Sequence, residues 1–310
     1  MIYFIVNETA KTGKGMNVWA KVKSILEEKQ IAYQAVKTKY KNHATELARQ
    51  ISGKVKGTGK EVTLVVLGGD GTLNEVINGI EDFSKVRIGL IPTGSGNDFA
   101  RGVGQKTKVE ESIERVLNSK EELLLDIGKV TYEGGEVPSY YAISSGLGMD
   151  AIVCKKAFTS RLKKFLNKIH LGKLTYLLIT IQTLFSMTTG NIKAVFDDEE
   201  EVSFKKLIFT AAMNLRAEGG GVPMAPHADP ADGKLSICFA HGVPRFLTFF
   251  VLPFLVLAKH EKLPCFHLKN SSKCHVELSV PMTLHADGEY LCEVTWADFE
   301  CVPGVLRLIH

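Results

Sequence analysis

The sequence contains no apolar run long enough to cross a bilayer. Residues 174–187 are broken by Thr175, Thr180, Gln182 and Thr183, and residues 246–258 contain Pro253; both fall short of the roughly 20 residues that a spanning helix needs. The short apolar stretch at residues 1–6 has no basic segment before it, so it reads as a buried first strand rather than a signal peptide, and a cytoplasmic location is expected. There is no CxxC pair among Cys154, Cys238, Cys265, Cys274, Cys292 and Cys301. A chain of 310 residues has enough core to do without disulfides, and free thiols are expected. Charge of one sign is also lacking: 38 basic residues face 34 acidic ones, a net +4, too mild to imply a nucleic-acid partner. The histidines show no zinc-like spacing. No serine-histidine-aspartate set, cysteine nucleophile, internal repeat or low-complexity linker stands out.

What is present is a folded composition, 45% apolar and 23% charged, on a chain long enough for two domains. Its first part alternates strand and helix. Strands are expected at 2–6, 32–36, 62–67 and 86–91. Helices are expected at 16–30, 43–51, 73–80, 97–103 and 109–118. Such alternation predicts a parallel sheet covered on both faces, with ligands at the carboxyl ends of its strands.

Two glycine loops fall at those ends. The first, Gly68-Gly69-Asp70-Gly71-Thr72, follows an apolar β-branched run and precedes a helix face formed by Leu73, Val76, Ile77 and Ile80. Glycines there permit φ > 0 and leave no Cβ between amides and a ligand. Amides gathered at a helix start make an anion site suited to phosphate, whereas a plain tight turn usually needs one glycine. The second, Pro92-Thr93-Gly94-Ser95-Gly96-Asn97-Asp98, adds hydroxyls for phosphate and capping groups for the next helix.

From about residue 123 the text becomes strand-rich, with strands expected at 123–132, 140–145, 192–196, 207–214, 234–239, 274–284 and 290–295. Helical insertions interrupt it near 160–187 and 245–260. The expected organisation is an α/β nucleotide-binding domain over 1–125 and a mostly antiparallel β-sandwich over 126–300. Residues 301–310 either close the second sheet or return to the first domain.

The two glycine loops resemble the catalytic-domain signature of diacylglycerol kinases and related lipid kinases, and further blocks follow in the family's order. They are Asp126-Ile127-Gly128, the run from Ser144 to Ala151, Gly219-Gly220-Gly221 through Lys234, and Asp287-Gly288-Glu289. The first block departs from the pattern: the family usually has Asn-Pro-x-x-Gly, and this chain has Asn7-Glu8-Thr9-Ala10-Lys11-Thr12-Gly13. The resemblance implies the α/β-plus-sandwich fold just described, with ATP and Mg²⁺ between its parts. Gly68, Gly69, Gly71 and Thr72 would then hold phosphates, and Asn74 and Glu75 would open the helix behind them. Ser95, Thr38, Asn7, Thr9 and Lys11 would contact nucleotide, and Asp70, Asp98 and Asp126 would organise Mg²⁺ directly or through water. Glu289 would be general base toward a lipid hydroxyl, with Asp287 fixing geometry or extending the metal network; on its own, Asp287-Gly288 is equally a hairpin turn. A second Mg²⁺ would sit on Asp232 with main-chain carbonyls at Asp229 and Lys234, where an ordinary Asp-Gly turn is the competing reading.

The expected partners are a lipid such as diacylglycerol, the membrane surface and a second copy of the chain as a homodimer. Arg161, Lys163, Lys164, Lys168 and Lys173 among Leu162, Phe165, Leu166, Ile169 and Leu171 form a basic amphipathic pattern suited to peripheral membrane contact or to a solvated helix face. A kinase of a non-lipid acceptor, as in NAD kinases, and an inactive nucleotide- or lipid-binding protein are the alternatives.

Overall fold

A computed structural model describes residues 1–159, 179–180, 182–197 and 199–310. The basic pattern at 161–173 lies outside them. In the first half, β1 (Ile2–Val6), α1 (Ala10–Glu28), β2 (Tyr33–Lys37), α2 (His43–Gly53), β3 (Val62–Gly68), α3 (Asp70–Ile77), β4 (Val86–Pro92), α4 (Asp98–Gly102) and α5 (Val109–Asn118) follow one another. The second half holds β5 (Glu122–Tyr132), β6 (Ser139–Tyr141), β7 (Ser144–Gly148), α6 (Met149–Thr159), β8 (Ile192–Phe196), β9 (Glu201–Phe204), β10 (Leu207–Met213) and β11 (Leu235–His241). It ends with α7 (Arg245–Val256), β12 (Phe266–Ser271), β13 (Lys273–Ala286) and β14 (Glu289–Ile309). Among the described residues no helix is long and apolar enough to cross a membrane.

One mixed sheet runs β12-β11-β10-β7-β13-β14-β4-β3-β1-β2. The strands β2, β1, β3 and β4 pair in parallel, while β14, β13, β7, β10, β11 and β12 pair antiparallel. Burial explains the parallel part. Val62 and the run Leu64, Val65, Val66 and Leu67 are buried, as expected where helices cover both faces of a strand. Helix α2 turns Ala44, Ala48, Ile51 and Ser52 inward, at helical spacing.

Strand β14 pairs antiparallel with β5 over much of its length and, on its other edge, parallel with β4 at Arg307↔Arg87 and Leu308↔Ile88. It therefore sews the antiparallel half onto the parallel one, with Leu306 and Leu308 fully buried in the first core. Arg307 adds contacts to Glu61, Glu122 and the Ser84 carbonyl.

Several boundaries differ from expectation. Helix α1 starts at Ala10 rather than Met16, so Lys11 lies in its first turn and the altered glycine loop is largely helix. Gly15 passes so close to the Asn7 carbonyl that a Cβ there would collide with it. Helix α3 starts at Asp70 rather than Leu73. The strand expected at 140–145 is split at Ala142 and Ile143 into β6 and β7, because the amides of those two residues turn to the Asp287 carboxylate. The unforeseen strands β9 and β12 sit at edges among the described residues, β9 pairing with β8 and β12 with β11; they are only four and six residues long.

Leu308→Ala should lower the free energy of unfolding by about 2–5 kcal/mol, the usual range for emptying a fully buried leucine site. A shift in the chemical-denaturation midpoint checks it, and an unchanged midpoint would mean the sewing strand contributes nothing.

Candidate active site

The glycine loops meet backbone to backbone. A Cβ on Gly69 would lie 2.9 Å from the Gly94 Cα, and one on Gly94 2.7 Å from the Gly69 Cα, distances that no side chain tolerates. The Thr93 amide donates to the Gly68 carbonyl at 2.8 Å, and the Gly94 amide donates to the Asn97 side-chain oxygen at 2.9 Å. Asp70 joins the loops from the other side: its carboxylate accepts the amides of Asp98 and Phe99, each at 3.1 Å, and so caps α4 from a neighbouring element. Burial pushes the Asp70 carboxyl up from its ordinary range while these two amides pull it down. Gly96 leaves room beside both acids, since a Cβ there would stand 3.1 Å from Asp98 Oδ2 and 3.3 Å from Asp70 Oδ2.

The amino-terminal block closes on the same place. Asn7 donates to Thr72 Oγ1 at 2.9 Å, and its oxygen accepts the Thr9 amide and hydroxyl at 3.2 Å and 2.8 Å. Thr38 donates its amide to the Val6 carbonyl at 2.9 Å, at the carboxyl end of β2. Ser95 is exposed at the tip of the second loop.

Opposite the cradle stands the β13–β14 hairpin. Asp287 (φ 47°) and Gly288 (φ 81°) form its two-residue turn, the left-handed pair that an Asp-Gly hairpin requires. The turn and the site are thus one feature. The Asp287 carboxylate is buried and accepts four hydrogen bonds. They come from the amides of Ala142 (2.9 Å), Ile143 (2.8 Å) and Ser144 (3.1 Å) and from Asn74 Nδ2 (2.9 Å). Burial raises its pKa against all four donors. Glu289, the first residue of β14, is partly exposed and pairs with Lys41 Nζ at 2.7 Å. Its Oε1 lies 3.2 Å from where a Cβ on Gly71 would be. The glycine cradle and the distant carboxylate therefore share one cleft.

Other residues of the expected site serve as braces. Asn74 and Glu75 sit in the body of α3, not at its opening: Asn74 reaches Asp287 and the Tyr140 carbonyl, and Glu75 accepts the amides of Asn42 and Ala44 at the start of α2. Asp98 pairs with Arg101 and accepts the Gly220 amide at 2.9 Å. Asp126 is buried, with its two oxygens taken by the Gly233 and Gly304 amides, each at 2.7 Å. That holds the 229–234 loop, in which Asp229 accepts the Ala231 amide and Asp232 the Lys234 amide.

Two groups escaped the sequence reading. Lys41 is the last of three alternating lysines, Lys37, Lys39 and Lys41, before α2, with no local signal to single it out. Glu218, beside the Gly219-Gly220-Gly221 run, forms a buried set with Asp150 and His285, whose ligand atoms lie within 4.8 Å of one another. His285 Nε2 is 3.1 Å from Asp150 Oδ2, and the Gly288 amide donates to Nδ1 at 3.1 Å. Burial opposes a charged ring, but the nearby acids, Asp150 first, outweigh it and push the His285 ring up to about 9. The amide aimed at Nδ1 sides with burial. Through its two nitrogens the ring ties the Gly288 turn to Asp150.

A glycine cradle on a parallel sheet, faced by a carboxylate hairpin on an antiparallel one, is the layout of a two-part kinase. Residues 1–130 match the diacylglycerol kinase catalytic domain, and residues 143–310 match the YegS C-terminal NAD kinase beta sandwich-like domain. The chain belongs to the lipid kinase family that joins these two domains. It is 28% identical over 292 residues to the Bacillus subtilis (strain 168) protein named "Putative lipid kinase YtlR", covering 93% of each chain. It is 24% identical to a Mycobacterium tuberculosis diacylglycerol kinase, covering 85% of this chain and 81% of that one. In fold it is similar to a crystal structure titled as a diacylglycerol kinase from Bacillus anthracis str. Sterne. That match has a TM-score of 0.68 at 17% identity and covers 100% of this chain and 96% of that one.

Burial pushes the Glu218 carboxyl up to about 7 from 4.5, with the Ser144 hydroxyl and His285 pulling the other way. A raised carboxyl pKa means the folded chain keeps a proton that the unfolded chain releases. Its contribution to stability is therefore full below 4.5 and is lost as pH rises through about 7. Thermal melts of wild type and Glu218→Gln between about pH 5 and pH 8 should show the variant gaining on wild type by about a few degrees as pH rises. A constant gap would mean Glu218 is ionised throughout.

Proposed function

We propose that this protein transfers the γ-phosphate of ATP, with Mg²⁺, to a hydroxyl of diacylglycerol or a related lipid, a phosphotransferase acting on an alcohol group. The observation that carries this reading is the approach of Glu289 to Gly71 across the cleft. Side chains at Gly69 and Gly94 would force the two loops apart and one at Gly96 would crowd Asp70 and Asp98, and the start of α3 brings amides toward an anion. Gly68, Gly69, Gly71 and Thr72 are the phosphate-holding residues in this scheme, with Asn7, Thr9, Lys11, Thr38 and Ser95 around the nucleotide. Asp70 and Asp98 are the acids nearest that cradle. Bound MgATP would supply the phosphoryl group and neutralise its oxygens.

The chain's own part is positioning and one proton. In this scheme Glu289 Oε1, the oxygen beside Gly71, takes the proton from the acceptor hydroxyl as the hydroxyl oxygen attacks the γ-phosphorus and the bond to the ADP leaving group breaks. Lys41 Nζ pairs with the other oxygen, Oε2, at 2.7 Å. Asp287, with every oxygen bonded inward, sets the turn from which Glu289 projects and has no lone pair directed at the cleft for a metal. A further Mg²⁺ on the 229–234 loop draws support from the outward oxygens of Asp229 and Asp232, whose loop is already shaped by Asp126.

Labelled ATP offered with diacylglycerol, sphingosine, phosphatidylglycerol, NAD and fructose 6-phosphate in separate reactions, followed by chromatography, tests the assignment. Product from diacylglycerol or another lipid is expected, and product only from NAD or the sugar phosphate would overturn it. Glu289→Gln should keep the wild-type melting profile and lose at least about 100-fold in kcat, the usual scale for removing a general base. Unchanged turnover would remove Glu289 from the mechanism.

A further inference from the structure

Helix α7 is apolar on the side that faces water as well as on the side that faces the protein. Thr248 and Leu255 are buried, with Val251 and Leu252 half-buried beside them. Leu247, Phe249, Phe250, Phe254, Val256 and Leu257 are between 41% and 66% exposed. No charged residue occurs from Phe246 through Ala258. An outward face made of six large apolar side chains on one element exceeds the scattered apolar exposure of ordinary surfaces and marks a contact site.

The charges around it identify the partner. At its amino-terminal end the Gly242 amide donates to the carbonyls of Lys205 and Lys206, at 3.1 Å and 3.2 Å, placing two exposed lysines beside the start of α7. At its carboxyl end Lys259 and Lys262 are exposed, and the acid between them, Glu261, faces His227 at 3.4 Å. An apolar face with cations at both ends matches the boundary between acyl chains and anionic headgroups. It does not match a second copy of itself. Laid antiparallel or parallel on its twin, α7 would bring lysines against lysines.

The face is also coupled to the cleft. Under α7, an apolar hollow is lined by Met149, Ile208, Phe209, Val251, Leu252 and Leu255. Met149 opens α6, and farther along that helix Cys154 Sγ lies 3.9 Å from where a Cβ on Gly288 would be. One helix therefore runs from beneath the apolar face to the hairpin that carries Glu289.

We propose that the outer face of α7 docks on an anionic lipid bilayer, with Phe250, Phe254 and Leu257 entering the acyl boundary and the four lysines meeting headgroups. This rests on the lipid-kinase reading for its biological sense, but its test needs no turnover. In flotation with vesicles of phosphatidylcholine and phosphatidylglycerol, the full chain should bind more strongly as the phosphatidylglycerol fraction rises. The triple variant Phe250→Gln, Phe254→Gln, Leu257→Gln should bind at least about tenfold less while keeping the wild-type melting temperature and elution volume. Phe250→Trp should shift its emission to the blue on vesicle addition and be quenched by brominated lipid. Equal binding by wild type and triple variant, or no response of the tryptophan, overturns the proposal. So does a wild-type dimer that the triple variant dissolves, which makes the face a protein interface, or a large fall in melting temperature, which makes it a packed one. If no lipid accepts phosphate yet vesicle binding follows these substitutions, the docking surface stands and the activity assigned above fails.

Discussion

The joint between the two halves depends on one buried carboxylate. Asp287 lies in the turn of the last hairpin, yet its four donors come from α3 and from the break between β6 and β7. A buried anion so held is costly to strip of any partner, because each lost donor leaves charge unsatisfied in a low-dielectric interior. The arrangement therefore fixes three elements against one another at the place where Glu289 emerges. Position of the carboxylate relative to the cradle is then a property of the fold and not of a flexible side chain, the condition for precise placement of a reacting group.

Around that joint, acids act as braces more than as a pool of metal ligands. Asp70 caps α4 across the cleft floor, Glu75 closes the entry to α2, and Asp126 holds two distant turns. Each carboxylate accepts two backbone amides that would otherwise be orphaned at a helix start or tight turn. An acid in a family motif can thus be required for shape before any role toward a ligand is considered. Carboxylate chemistry alone does not separate the two roles.

The sequence made the parallel half legible because its signals are local. Continuous apolar runs such as Val62 to Leu67 mark doubly covered strands, and helical spacing at Ala44, Ala48 and Ile51 marks a single buried face. Helix starts were read late, at Met16 and Leu73, because glycines at 13, 15 and 71 look like loop. Gly15 and Gly71 in fact lie inside helix, Gly15 in close contact with a neighbouring backbone, whereas Gly13, at φ 93°, departs from helical geometry within α1. Edge strands β9 and β12 are short, four and six residues, so the alternation of Val202 and Phe204 with Glu201 and Ser203 is too brief to mark a strand. The site divides in the same way: the glycine turns and Asp287-Gly288-Glu289 are contiguous text, whereas Lys41 and Glu218 acquire meaning only when folding brings them to Glu289, Asp150 and His285.

Strand β14 explains how two such differently patterned halves act as one. It pairs antiparallel with β5 on both sides of the register shift between Val302 and Leu306, while on its other edge antiparallel pairing with β13 gives way to parallel pairing with β4. The same strand begins at Glu289 and ends in the first core at Leu308. Any motion that opened the cleft by swinging the halves apart would have to bend this strand or break its short parallel contact. The place least resistant to bending is the irregular stretch around Gly304, whose φ of 62° already leaves the strand region and whose amide is tied to Asp126. Asp126 thus braces the bend in β14, with its two oxygens given to the turns at Gly233 and Gly304.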